Sequence, residues 1–143
     1  MKKKKPRIVH TDGGAFIEPP NFKFHDAYYS VVDNKGELIH FEKNIGDFHS
    51  IVPEYQSIKW AVENILERPL TIYNDNKVAI GWARRGSSKN SSYLALPLNL
   101  DGIKLEYKKG TKADEWNAKN YSPKKDKSFY IKRYYALKER RVL

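Results

Sequence analysis

A chain of 143 residues, 40% hydrophobic and 31% charged, is long enough for one buried core and has no apolar run long enough to span a bilayer. With no cysteine it can build no disulfide framework, no thiolate zinc site and no cysteine nucleophile. The net charge of +10 is uneven: residues 2–7 carry five positive charges, residues 104–143 carry thirteen against five acids, and the middle is about −3. Basic ends would attract a polyanion, foremost nucleic acid, each neutralised phosphate releasing counterions; a merely solubilising surface is the other reading. No apolar leader follows the basic start, so the expected location is intracellular, in the cytoplasm, and the expected state is a monomer with no membrane partner.

Residues 1–6 read as a disordered basic arm and residues 7–143 as a single domain. The stretch RIVHTDGG (7–14) reads as a strand ending in Asp12, Gly13 and Gly14. The two glycines would let a backbone or a ligand come close, which suits a metal or phosphate site, whereas Asp-Gly is also a hairpin turn signal. Residues 15–25, with Pro19 and Pro20, are expected as a connection. AYYSVVD (27–33), the turn NKG and ELIHFEK (37–43) then predict a hairpin, and with the first strand a three-stranded antiparallel meander.

From about Ser50 the apolar period becomes helical: Ile58, Val62 and Ile65 form one stripe, and Pro53 fits the first turn. Glu54 lies one turn before Ile58 and therefore on the inward side, where a carboxylate wants a cation or a donor; a first-turn acid complementing the helix dipole is the plainer role. Arg68-Pro69 ends this helix, and LTIYND (70–75) predicts a strand parallel to the first, reached by the helical crossover. Asp75 then stands at the carboxyl end of that strand, where parallel sheets bind ligands, although Asp75 or Asn76 could simply cap the next helix. That helix, KVAIGWARR (77–85), is expected to turn Val78, Trp82 and Ala79 inward. Residues 86–102 carry no assignable element. IKLEYKK (103–109) predicts a fifth strand, and TKADEWNAKNY (111–121) a helix opened by a Thr111/Asp114 capping box, a role that does not exclude a catalytic one for Asp114. After Pro123, residues 123–143 read as a basic, aromatic helical extension with Tyr130, Tyr134 and Leu137 on one face, suited to docking on the domain or to stacking on bases.

The order is thus β-β-β-α-β-α, the unassigned stretch, then β-α, an α/β fold with a five-stranded mixed sheet flanked by helices. With HTDGG (10–14), PEYQSIKWAV (53–62), TIYNDNKVAIGW (71–82) and GTKADEWNAK (110–119) in that order, the chain resembles the ribonuclease H type 1 family over roughly residues 7–120. The resemblance implies that Asp12, Glu54, Asp75 and Asp114 are the catalytic, metal-binding carboxylates. They would hold two Mg²⁺ ions, with Mn²⁺ as the other ion that would serve, about 4 Å apart around the scissile phosphate. It implies a metal-dependent endonuclease that hydrolyses the RNA strand of RNA–DNA hybrids to 5′-phosphomonoesters, reading 2′-hydroxyls and groove shape rather than sequence. Gly13, Gly14, Asn76, Lys108, Lys109 and Lys112 are the expected nucleic-acid contacts.

The chain also departs from the family. IEPPNFKF (17–24) replaces a glycine-rich loop, and His49, Ser50, Ile51 and Val52 stand where many members have asparagines. Residues 108–112 hold no acid or histidine before the last aspartate, and residues 86–102 hold no basic helical protrusion. These departures keep a non-catalytic nucleic-acid-binding protein as the alternative, with another nuclease of the same superfamily as a third reading. His10, His25, His40 and His49 have no zinc spacing and read as structural or surface residues; no Walker loop, dinucleotide fingerprint or nucleophile elbow occurs.

Overall fold

The computed structural model describes residues 5–18 and 23–121. The basic arm and the 123–143 extension lie outside the described residues, apart from Lys5 and Pro6. Eight elements follow one another: β1 (Arg7–Glu18), β2 (Lys23–Asp33), β3 (Leu38–Glu42), α1 (Ile51–Asn64), β4 (Leu70–Asn74), α2 (Lys77–Arg85), β5 (Ile103–Tyr107) and α3 (Lys112–Asn120). They build a five-stranded sheet of order β3-β2-β1-β4-β5. The β1–β2 and β2–β3 pairs are antiparallel, and β4 and β5 run parallel to β1 and β4 respectively, so the fold is the mixed α/β arrangement expected.

Strand alternation divides the sheet between two helical layers. Val9 and Val31 face the core shared with α1, where Ile58, Val62 and Ile65 are buried as the helical period requires. His10 and Ser30, one residue away, bond to the other layer: Lys112 N–H donates to His10 Nδ1 at 3.3 Å and Ser30 Oγ to the Ala113 carbonyl at 3.4 Å. That layer is α3, seated with Tyr121 on Tyr28 and Phe41, whose rings lie 4.7 and 4.9 Å from the Tyr121 ring, while Trp116 meets Phe41 at 5.2 Å. The turn after β2 closes as its sequence demands, Asp33 Oδ1 accepting from Lys35 N–H and Glu37 N–H and Gly36 taking φ +87°. Arg68 ends α1 by donating to the carbonyls of Ile65 and Val62, which have no helical partner of their own. No helix among the described residues is long and apolar enough to cross a membrane.

Two expectations are corrected. Residues 15–25 do not leave the sheet at Gly14: β1 continues to Glu18 and β2 starts at Lys23, with Phe16 opposite His25 and Ile17 opposite Phe24. A register shift between Gly14 and Phe16 absorbs the extra residue, and Phe16 gains ring contacts with Tyr28, Tyr121 and His25 that a free loop would lack. In α2 the inward face is Ala79, Ile80, Gly81 and Ala83, and Val78 is half exposed. Small residues one turn apart let α2 lie close to its neighbours, which outweighs burying one valine. Trp82 does turn inward, stacking on Tyr93 at 6.1 Å. Residues 86–102 form neither helix nor strand up to the turn before β5, yet they are tied down. Leu98 N–H donates to the Ala83 carbonyl at 2.8 Å, Ser87 N–H to the Ala95 carbonyl at 2.9 Å, and Tyr55 Oη to the Leu96 carbonyl at 2.6 Å.

Candidate metal centre

Parallel pairing of β1 with β4 runs from Arg7↔Leu70 to His10↔Tyr73, and Asp12 and Asp75 lie two residues further along their chains, on the same sheet edge. Just before that edge the two strands are stitched by side chains. Thr11 Oγ1 donates to the Tyr73 carbonyl at 3.1 Å, and Asn74 Nδ2 donates to Thr11 Oγ1 at 3.0 Å and to the Thr11 carbonyl at 3.3 Å. Asn74 Oδ1 accepts from Asn76 N–H at 2.8 Å, which turns the chain directly after Asp75. Asn76 then caps α2, its Oδ1 accepting from Ala79 N–H at 2.9 Å, so the capping duty falls to Asn76 and leaves the Asp75 carboxylate for the edge.

The third acid arrives from the opposite layer. Thr111 caps α3, accepting from Asp114 N–H at 3.2 Å as the capping box predicts, and the helix start is pinned by the His10 and Ser30 bonds described above. His10 accepts from Lys112 N–H through Nδ1, so its proton sits on Nε2, which faces Asn34 Oδ1 at 3.1 Å. Burial lowers its pKa and helps keep it neutral. The result brings carboxylate oxygens of Asp12, Asp75 and Asp114 all within 4.8 Å of one another, with Asp12 buried, Asp75 half-buried and Asp114 exposed. Hard oxygen donors converging from three elements, open on one side, suit a divalent cation such as Mg²⁺.

Glu54 stands behind this trio rather than in it. It is buried on the inward side of α1, accepts from Gly13 N–H, and hydrogen-bonds the Asp12 carboxyl. Burial first, and the Asp12 charge next, push the Glu54 pKa well up, which favours the neutral form of this carboxyl beside Asp12. Asp12 itself is pushed up to about 7, by burial above all and then by the charges of Asp75 and Asp114, against bonds from Glu54 and Asn117 that favour its ionised form. The acids gathered on this edge raise the pKa of Asp12 and Glu54, a repulsion that a bound cation would relieve.

The glycines serve this geometry. A Cβ on Gly13 would lie 2.3 Å from the Pro53 carbonyl carbon and 2.4 Å from Glu54 N, because the first turn of α1 rests on the β1 backbone there. Gly13→Ala is therefore expected to destabilise the protein by about 3 kcal/mol, read as a lowered urea midpoint; an unchanged midpoint would mean α1 does not dock this closely. At Gly14 the added atom would meet the Tyr28 hydroxyl end, 2.6 Å away, on a ring held by Phe16 and Tyr121. Among the expected nucleic-acid contacts, Lys112 Nζ donates to the Asn34 carbonyl, Lys108 Nζ lies 5.2 Å over the Tyr73 ring, and Lys109 is exposed.

Two asparagines that no motif singles out complete the site. Asn74 follows Leu70 and Ile72 at strand spacing, and Asn117 follows the buried Ala113 by four residues; a polar residue on a buried face is the signal that could have found both. Asn117 Nδ2 donates to Asp12 Oδ2 at 2.8 Å.

No protein-family model and no curated protein matches the sequence. Solved structures do. The PFV RNase H domain superposes with a TM-score of 0.51 at 17% identity, covering 78% of this chain and 87% of its own. The prototype foamy virus protease-reverse transcriptase gives a TM-score of 0.53 at 16% identity, covering 82% of this chain and 21% of its own. Strand order, crossover and the layer carrying α3 therefore belong to one architecture, and this chain has the ribonuclease H-like fold.

Proposed function

We propose that this chain is a divalent-metal-dependent nuclease of the ribonuclease H type, acting on the RNA strand of RNA–DNA hybrids inside the cell as a monomer. The observation that carries the reading is the convergence of Asp12, Asp75 and Asp114 oxygens from β1, the end of β4 and α3, with Glu54 buried beside Asp12. Asp12, Asp75 and Asp114 would hold the cation, and Glu54, buried beside Asp12, would join them. Bound there, Mg²⁺ supplies charge stabilisation for a phosphodiester and an activated water at neutral pH. The chain's own part is to orient the carboxylates, to place Lys108 and Lys109 where they can meet phosphate oxygens, and to keep the Glu54 side of the site dry.

The test is a labelled RNA–DNA hybrid incubated with the protein in Mg²⁺ or in EDTA. RNA cleavage in Mg²⁺ alone, leaving 5′-phosphate ends, is expected. Binding without cleavage would favour the non-catalytic reading, to which the lack of an acid or histidine in residues 108–112 gives weight. Neither binding nor cleavage would sink both.

A further inference from the structure

We propose that Asn117 is a positioning residue of the metal centre, acting on the cation through Asp12; this rests on the metal-dependent reading above. Asp12 lies on β1, in the middle of the sheet, and nothing in a strand backbone sets the rotation of its carboxylate. Two side chains do, Glu54 from α1 and Asn117 from α3, and Asn117 is the one outside the acids: it is buried, and its amide donates to Oδ2 at 2.8 Å. A planar donor meeting one oxygen restricts χ2 of Asp12, and a fixed carboxylate loses less entropy on taking a cation than a rotating one. The residue type matters as much as the place. A lysine or arginine here would compete with the metal for the acids, and an acid would add to their repulsion, whereas a neutral amide orients without doing either.

Asn117 is also three residues after Asp114, so the two side chains leave α3 from the same face. One helix therefore delivers a ligand and the holder of another ligand. Its start is anchored on β1 through His10 and on β2 through Ser30, so docking α3 and assembling the centre are one event. Substituting Asn117 should consequently act on metal affinity before it acts on substrate affinity.

Calorimetric titration of Mg²⁺ into the wild-type protein and into Asn117→Leu and Asn117→Ser tests this, with melting curves in EDTA to establish that each is folded. A 10- to 100-fold weaker Mg²⁺ affinity is expected in a folded variant, together with a lower kcat on hybrid that rises again at high Mg²⁺ and an unchanged KM. Wild-type Mg²⁺ affinity in either folded variant would overturn the proposal and leave Asn117 a packing residue. If both variants fail to fold, the side-chain amide signals of Asn117 in ¹⁵N spectra of the wild type decide: they should shift along the Mg²⁺ binding curve, and signals that stay put would overturn it. A wild type that takes up no divalent cation would instead remove the metal-dependent reading itself.

Discussion

Asp12→Asn and Asp75→Asn should each lower hybrid cleavage by about 10³-fold or more while leaving the protein folded. The two positions differ in what surrounds them, which makes the pair informative. At Asp12 an asparagine keeps the shape, can still accept from Asn117 and can still meet Glu54, but it is no longer an anionic ligand. At Asp75, half-buried and free of the capping duty that Asn76 performs, the same change removes charge and disturbs no bond that orders α2. Loss of activity with native circular dichroism is therefore the expected pattern for both. Unchanged cleavage in either variant would take that residue out of the catalytic site, and unfolding of Asp75→Asn would contradict the division of labour between Asp75 and Asn76.

The second large effect is a dependence of stability on pH that Mg²⁺ removes. Asp12 titrates near 7 in the folded chain and near 4 when unfolded, and Glu54 is raised as well. For acids whose pKa is raised by folding, the native state holds the proton more tightly. Their contribution is complete below about pH 4 and is lost as pH rises through the folded value. The rise of the Asp12 pKa to about 7 corresponds to at most about 4 kcal/mol. In EDTA, the wild type is expected to lose stability relative to Asp12→Asn between pH 4 and 8. Taking that difference cancels His10, whose lowered pKa would act in the opposite direction as pH falls. Added Mg²⁺ should restore the wild type alone at pH 8, by roughly 3 kcal/mol at a concentration a hundred times its dissociation constant. Urea unfolding of both proteins, with and without Mg²⁺, measures this. A difference that does not change with pH would mean that Asp12 is ionised and solvated in the metal-free protein.

Most of the element order was legible because it depends on short-range periodicity. The stripe of Ile58, Val62 and Ile65 places Glu54 on the inward face by helical geometry alone, and Glu54 is buried there. The Thr111/Asp114 cap, the Asp33–Gly36 turn and the parallel crossover from β1 to β4 follow from equally local rules. Val78 does not obey a local rule. Its position fits an apolar stripe, but how α2 rolls is settled by the helices and loop packed on it, and Ala79 and Ala83 take the inner face. The β1–β2 extension was hidden for a similar reason, since Phe16 packs on Tyr28 and on the distant Tyr121 as well as on His25 across the pair.

By itself, the chain of residues determined most of the strands and helices among the described residues, the basic ends and the type of acid at four positions, because these rest on composition and on neighbours within a turn or a pleat. Only the tertiary structure decided that Asp12, Asp75 and Asp114 meet while Glu54 is buried beside Asp12, and that Asn74 and Asn117 hold the arrangement. Such contacts join residues as far apart as 12 and 117, and their energies depend on burial and on the charges gathered around them, quantities that exist only once the layers have closed on the sheet.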